Sequence, residues 1–462
     1  PNQLKTRKHN GKLQFFKSND WLTISNFSYK IVRHGYDADS KDTYYLLDCR
    51  GIGIEFEFCV PVTPSILGNM KMFSFTYKKF AVSSALFYED VAEKVKFLQD
   101  IYRRLIAYRE MDDVYKEEIL LVGHVGFVFN PSEGKHYYVC GPKCLLPARK
   151  KHCSQYDGTM PTFLWTGPSD ATTKNLVIKQ TSDPASDLNN FLIEAQKCYT
   201  LNFPALLASL GSVVLFMNRE DLYESGIKFG AVHYLGPDGA GKSTTREIVQ
   251  TILPQEDVNG KLKPDEMNLV TKSRLNKRLE NGAPFYLDPS PDEEKVKSFE
   301  TILDAYFGGQ QEETSLSTNR VGKMPLAGWF IVWKNEMEKL EKLCKTTKTK
   351  GLFLYCDREE LTDDEKAVRK ETKQTLVHTN VGSYSGAFLV FLRKLKITKF
   401  EKKANDFKDE IISKLQVADR NNLNDRLVVP YSLVLAGINF INKVLPCSEE
   451  TKKSYIDMVM EH

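Results

Sequence analysis

One octapeptide constrains this chain more than any other stretch: Gly236-Pro237-Asp238-Gly239-Ala240-Gly241-Lys242-Ser243. It matches in full the phosphate-loop pattern of a glycine, four residues, then Gly-Lys-Ser. Each position has a physical reading. Glycines allow positive φ, so that successive backbone N–H groups turn inward around an anion. Lys242 sets an ammonium against the β- and γ-phosphates of ATP, and the Ser243 hydroxyl ligates Mg²⁺. The helix that follows points its positive end at the phosphates. The bare pattern also occurs in ordinary Gly-rich turns, so context decides. Here an apolar run, Phe229 to Leu235, precedes it, and Ile248, Val249, Ile252 and Leu253 follow at helical spacing. That context predicts a strand, the loop and a helix over Thr245 to Leu253.

A magnesium site of this kind needs an Asp at the end of a neighbouring strand. The run Ala283 to Leu287 ends in Asp288, which fits, although Asp288-Pro289 also reads as a turn that closes a strand. No Glu follows Asp288, so a water-activating base falls to Asp292, Glu293, Glu294 or Asp288 itself. Asn335, after the apolar run Trp329 to Trp333, is a candidate to orient the attacking water, and equally a helix N-cap for Glu336 to Leu343. Arg320 and Arg358 are candidates for the cation that a ring ATPase supplies to its neighbour's γ-phosphate. The ordinary alternative for both is a surface arginine.

At 462 residues the chain is too long for one core, and two or three domains are expected. Its formal net charge is only +4, so nucleic-acid contacts must come from local basic patches. Nine scattered cysteines, an odd number, argue for a reduced intracellular compartment, cytoplasm or nucleus, over a disulfide framework. The longest apolar run, Ala205 to Met217, is shorter than the roughly 20 residues of a membrane span. It reads as a buried helix, and no membrane partner is expected. The chain opens on Pro1 without a secretory signal, the start expected of a fragment whose flanking domains lie outside it.

The first fifteen residues carry Lys5, Arg7, Lys8 and Lys12 and few apolar positions, and read as a mobile basic arm or a domain edge. Tyr44–Leu47, Ile54–Val60, Leu120–Phe129 and His136–Cys140 read as strands, and Val91, Val95, Leu98, Tyr102 and Leu105 as one face of a helix. The predicted fold class is α/β: a P-loop NTPase with a parallel sheet flanked by helices, a mixed α/β N-terminal domain and a helical C-terminal segment. The boundaries are 1–187 for the N-terminal domain, 188–225 for a helical connector, 226–385 for the P-loop ATPase domain and 386–462 for the helical segment. Pro284–Leu287, Trp329–Trp333 and Gly351–Cys356 are its further core strands. Phe400, Ala404, Phe407, Ile411 and Leu415 form a helical stripe, and a last helix is expected near Leu433–Val444.

From Leu188 to about Leu392 the chain resembles a family of helicase-like P-loop ATPases of phages and mobile elements, often found beside primases. Those proteins are similar in turn to superfamily 3 and AAA+ ring ATPases. The matching residues are the apolar Ala205-Leu206-Leu207-Ala208-Ser209-Leu210-Gly211, the run Ala231-Val232-His233-Tyr234-Leu235 into the loop, Asp288-Pro289, Asn335, and the Gly-containing turn Thr379–Ala387. The resemblance implies an oligomeric, hexameric ATPase that uses ATP and Mg²⁺ on single-stranded or forked DNA. In such a motor Lys345, Lys348 and Lys350, after the third core strand, would face the DNA; the ordinary alternative is a solvated charge run.

Other readings remain open. Asp238-Gly239-Ala240-Gly241-Lys242-Ser243-Thr244 also looks like the loop of thymidylate-type nucleotide kinases, although no Asp-Arg pair follows it. An ATP-binding switch or scaffold with little turnover is the third reading. Cys140, Cys144, His152 and Cys153 cluster four zinc-ligand types within fourteen residues, but adjacent His152-Cys153 cannot easily face one metal. Lys and Arg near Phe400 and Phe407 suggest a nucleic-acid contact or, more commonly, a solvated helix face. His233 is expected to be packed core.

Overall fold

The computed structural model describes residues 5–37, 42–51, 57–67, 69–85, 91–111, 117–123, 126–131, 134–141, 144–147, 163–165, 175–176, 182–199, 201–252, 255–256, 265–266, 285–288, 306–307, 329–332, 351–379, 384, 395–415 and 425–462. These fall into two compact units. The first holds residues up to Gly123 together with the strand Phe163–Trp165, and the second holds the rest. Elements are numbered along the whole chain.

In the first unit β1 (Thr6–His9), β2 (Lys12–Lys17) and β3 (Asp20–Ser25) form an antiparallel three-stranded sheet. This replaces the arm expected of the first fifteen residues over the part described. Only Leu13 and Phe15 of β2 are buried, so a strand with one wet face carried too few apolar residues to announce itself. A five-stranded sheet follows, built from β4 (Phe27–Asp37), β5 (Asp42–Gly51), β6 (Glu57–Val62), β7 (Glu117–Val122) and β11 (Phe163–Trp165), in the order β11-β7-β4-β5-β6. Helices α1 (Pro64–Leu67), α2 (Met70–Phe80) and α3 (Val91–Arg109) complete the unit. The core gathers Phe27, Tyr29, Phe58, Phe73 and Phe97. Helix α3 turns Phe97, Leu98, Ile101, Leu105 and Tyr108 inward, whereas Tyr102, expected on that face, is half exposed. It lies one residue, and so ~100° of helix, past Ile101.

The expected strand Leu120–Phe129 is two strands in different sheets. Leu120–Val122 belong to β7, and β8 (Gly126–Asn130) pairs with β9 (Lys135–Gly141), which pairs with β10 (Cys144–Pro147). Gly123 and Gly126 bracket the break, and this hairpin sheet groups with the second unit. There Tyr138 donates to Met217 Sδ at 3.2 Å.

The second unit opens with α4 (Pro184–Gln196), α5 (Phe203–Met217) and α6 (Arg219–Glu224). Asp183 caps α4 by accepting from the Ser186 N–H, and Pro184 fits the first helical turn, where no N–H is needed. Every residue of α5 except Pro204 is buried, so it is the internal helix its sequence predicts. It crosses α10 (Asp425–Asn442) at Gly211 and Gly437, where a Cβ on Gly437 would stand 2.5 Å from the Gly211 carbonyl. Larger residues there would force the helices apart. Helices α9 (Ile397–Lys414) and α11 (Glu449–Glu461) join this helical end.

The remaining sheet is wholly parallel: β13 (Val232–Leu235), β15 (Asp265–Glu266), β16 (Phe285–Asp288), β17 (Trp329–Val332) and β18 (Leu352–Tyr355), ordered β15-β16-β17-β13-β18. All four residues of β13 are buried, as a central parallel strand covered on both faces requires. Tyr234, Phe330 and Tyr286 stack in a row across β13, β17 and β16. A two-stranded ladder of β12 (Asn175–Leu176) and β14 (Gln255–Glu256) lies apart from it. Helix α7 (Lys242–Gln250) follows β13, and α8 (Asp363–Gln374) starts at a Thr362/Glu365 capping box and ends in a π-helical turn, Thr375–Thr379.

Candidate functional site

The turn Gly236–Gly241 joins β13 to α7, which begins three residues earlier than its apolar spacing suggests, at Lys242. Gly236, Gly239 and Gly241 have φ of 125°, 80° and 82°, all in the region L side chains avoid. Gly236 is also hemmed in, because a Cβ there would lie 2.0 Å from the Cys356 carbonyl at the end of β18. Pro237, Asp238 and Gly239 are exposed, Ala240 is buried, and the Ser243 side chain opens to solvent while Thr244 is half-buried. Lys242 is only 7% exposed, and its ammonium donates to the carbonyls of Gly236 and Pro237, the latter at 2.8 Å. A strand, a tight glycine turn and a helix N-terminus thus hold one buried cation and one open hydroxyl together. Such a set is suited to an anion with its magnesium.

A residue the sequence did not single out holds this turn in place. Asn202, buried just before α5, donates from Nδ2 to the Ala240 carbonyl (3.1 Å) and to the Asp357 carbonyl (2.9 Å). Its Oδ1 accepts from the Asp357 N–H at 2.8 Å. One amide therefore bolts the turn to the chain leaving β18. Glu359 secures the same corner, accepting from the N–H groups of Leu201 (2.7 Å) and Asn202 (2.8 Å) and pairing with Arg369 of α8. Leu201 and Asn202 lie more than 150 residues from Asp357 and Glu359 along the chain, so no local spacing could announce these bonds.

Arg358 sits between the two anchored residues Asp357 and Glu359, and its side chain is exposed. Asp288 is the last residue of β16. Strand β17 lies between β13 and β16, so the carboxyl end of β17 falls between the turn and the strand end that carries Asp288. Asn335, Arg320, Lys345, Lys348 and Lys350 lie outside the described residues.

Cys140 and Cys144 stand on the β9–β10 hairpin, and His152 and Cys153 lie outside the described residues. Among the described residues no group of three His, Cys, Asp or Glu side chains could hold a metal ion, so zinc finds no support. Phe400 and Phe407 are buried at 5% and 4%, as the apolar stripe of α9 predicts, and Lys403 lies over the Phe407 ring. His233 is buried and stacks on Phe353 at 4.5 Å, and burial pushes it down to about 3, so it is neutral at physiological pH. Burial likewise pushes the Cys356 thiol up to about 12, which leaves it protonated beside the turn. Among the described residues no helix is long and apolar enough to cross a membrane.

No family model matches the sequence, and no curated protein matches it. Among solved structures the chain is similar to the active helicase Cch of SCCmec type IV, with a TM-score of 0.50 and 13% identity over 99% of this chain and 78% of that one. A second match, the inhibitor-bound JCV helicase, has a TM-score of 0.27 and 11% identity over 54% of this chain and 65% of that one. The first shows a shared mixed α/β fold over nearly the whole chain.

Proposed function

We propose that this chain is a Mg²⁺-dependent ATPase, an oligomeric helicase-like motor acting on DNA, built as the four-part chain with its ATPase domain at 226–385. The observation that carries the reading is the turn Gly236–Gly241 with buried Lys242 and open Ser243 at the head of α7. Lys242 neutralises charge on the terminal phosphates by exchanging its two carbonyl partners for phosphate oxygens. Ser243 and Asp288 would hold the magnesium, which would supply charge neutralisation at the phosphates. With strands ~4.8 Å apart, one intervening strand separates β13 from β16 by about 10 Å, which leaves room for a water held by Asn335 after β17. Arg358 or Arg320 supplies the cation at a neighbouring subunit's γ-phosphate, and Lys345, Lys348 and Lys350 face the DNA. The fold shared with the SCCmec helicase supports the motor reading.

The test is the ATPase rate with and without single-stranded DNA, measured beside oligomer mass in ATP. DNA stimulation of a ring-sized assembly supports the motor. Phosphoryl transfer to a nucleoside monophosphate would replace it with a nucleotide kinase, and tight ATP binding without turnover would replace it with a switch.

A further inference from the structure

We propose that the outward face of the β1–β3 sheet is a platform for single-stranded DNA. Strand register puts Arg7, Gln14 and Thr23 side by side on one face, with His9 beside Lys12 and Phe16 beside Trp21. The neighbouring positions Leu13 and Phe15 point into the core, so this set is the solvent side of the sheet. It contains aromatic, basic and uncharged polar residues and no acid.

The face is preformed. Arg7 donates to Gln14 at 2.9 Å, Gln14 donates to Thr23 at 3.1 Å, and the Arg7 guanidinium lies over the Trp21 ring at 4.2 Å. Phe16 packs beside Trp21 at 5.3 Å and is still 38% exposed. An exposed phenyl ring beside an indole already layered with a guanidinium is a stack that a base can extend. From Lys12 to Phe16 the platform runs about 14 Å, and across three strands about 10 Å, the scale on which a sheet stacks two or three bases.

Charge favours the same occupant. Arg7 and Lys12 stand on the face itself, and residues 5–25 as a whole hold Lys5, Arg7, Lys8, Lys12 and Lys17 against Asp20, a net +4, although Lys8 turns to the other face and donates to the Tyr29 carbonyl. A polyanion is drawn to such a segment by release of its counterions. A duplex hides its base planes, whereas a single strand presents them. The choice of DNA over RNA rests on the DNA-acting reading proposed above.

The test uses the full chain without nucleotide, so it does not depend on the ATPase reading, and reads anisotropy of a labelled oligothymidylate across a salt series. Phe16→Ala should raise Kd about tenfold, and Phe16→Tyr should restore it. Arg7→Ala with Lys12→Ala should reduce the steepness of log affinity against log salt by about 1.4. Photocrosslinking of a bromodeoxyuridine strand to the unaltered chain should label Phe16 or Trp21. Unchanged affinity and salt slope in the variants, equal affinity for a duplex, preference for RNA, or crosslinks only outside residues 5–25 would each overturn the proposal.

Discussion

Two buried polar residues that gather their surroundings, Asp100 in the first unit and Asn202 in the second, do opposite jobs. In the first unit Asp100, with a side chain fully out of solvent, accepts from Tyr29 and Thr6, both at 2.7 Å, and pairs with Arg103 and Arg104. Burial alone would push this carboxyl up. The hydrogen bonds from Tyr29, Arg104 and Thr6 and the Arg104 charge outweigh it and hold Asp100 below the usual carboxylate range. In the second unit the Asn202 side chain carries no charge and bonds only main chain, at Ala240 and Asp357. A charged knot that ties side chains fixes a core, whereas a neutral amide that ties backbone fixes the shape of a loop. The first is a stability device, and the second holds the candidate site's turn in place.

Asp100→Ala is expected to have the largest effect. It leaves Tyr29 Oη buried without its acceptor and strands two arginines, which are partly exposed, so the loss is about 3 kcal/mol of stability in the first unit. Chemical denaturation followed by hydrogen exchange in α3 would read it. A change that spread equally to α7 would break the contrast between the units.

Acid should separate the units next. His233 is held neutral with a pKa of about 3, below the 6.5 of an exposed histidine, so the unfolded chain takes up its proton first. The stability it contributes is therefore present above pH 6.5 and falls as pH drops from there towards 3, by about 2 kcal/mol at pH 5. Asp100 behaves differently: with its pKa lowered, its contribution holds at pH 5 and is lost only as pH falls below ~4 and through its folded value. Exchange protection at pH 5 against pH 7 should drop in β13 and persist in α3, and His233→Gln should abolish the drop.

The smallest effect is the one closest to function. Asn202→Asp keeps the shape but removes both N–H donors, setting a carboxylate against the carbonyls of Ala240 and Asp357. Mg-ATP affinity should weaken about tenfold, or ~1.4 kcal/mol, with a smaller change in melting temperature. Equal affinity in calorimetric titration would reduce Asn202 to a structural residue.

The parts of this account that sequence foretells are those with local period or local spelling. The Gly236–Ser243 motif, the apolar runs of β13, β16, β17 and β18, and the uninterrupted burial of α5 all declare themselves within a few residues. What escapes is either sparse or distant. Strands β1–β3 have one wet face rich in Arg7, Lys12 and Gln14, so their alternation is hidden among polar residues. The Asn202–Asp357 and Leu201–Glu359 bonds join segments over 150 residues apart, and the placement of β17 between β13 and β16 is a property of topology. Tyr102 shows the converse error, in which residue type suggested a face that packing reassigned, whereas Phe400, Ala404 and Phe407 of α9 are buried as their spacing predicts.

The most direct test of the central claim is Mg-ATP hydrolysis by the unaltered chain beside Lys242→Ala and Asp288→Asn, each checked for an unchanged melting profile. The account predicts measurable turnover in the parent, loss of nucleotide binding or turnover in Lys242→Ala, and loss of magnesium-dependent turnover in Asp288→Asn. Normal hydrolysis by Lys242→Ala would contradict it.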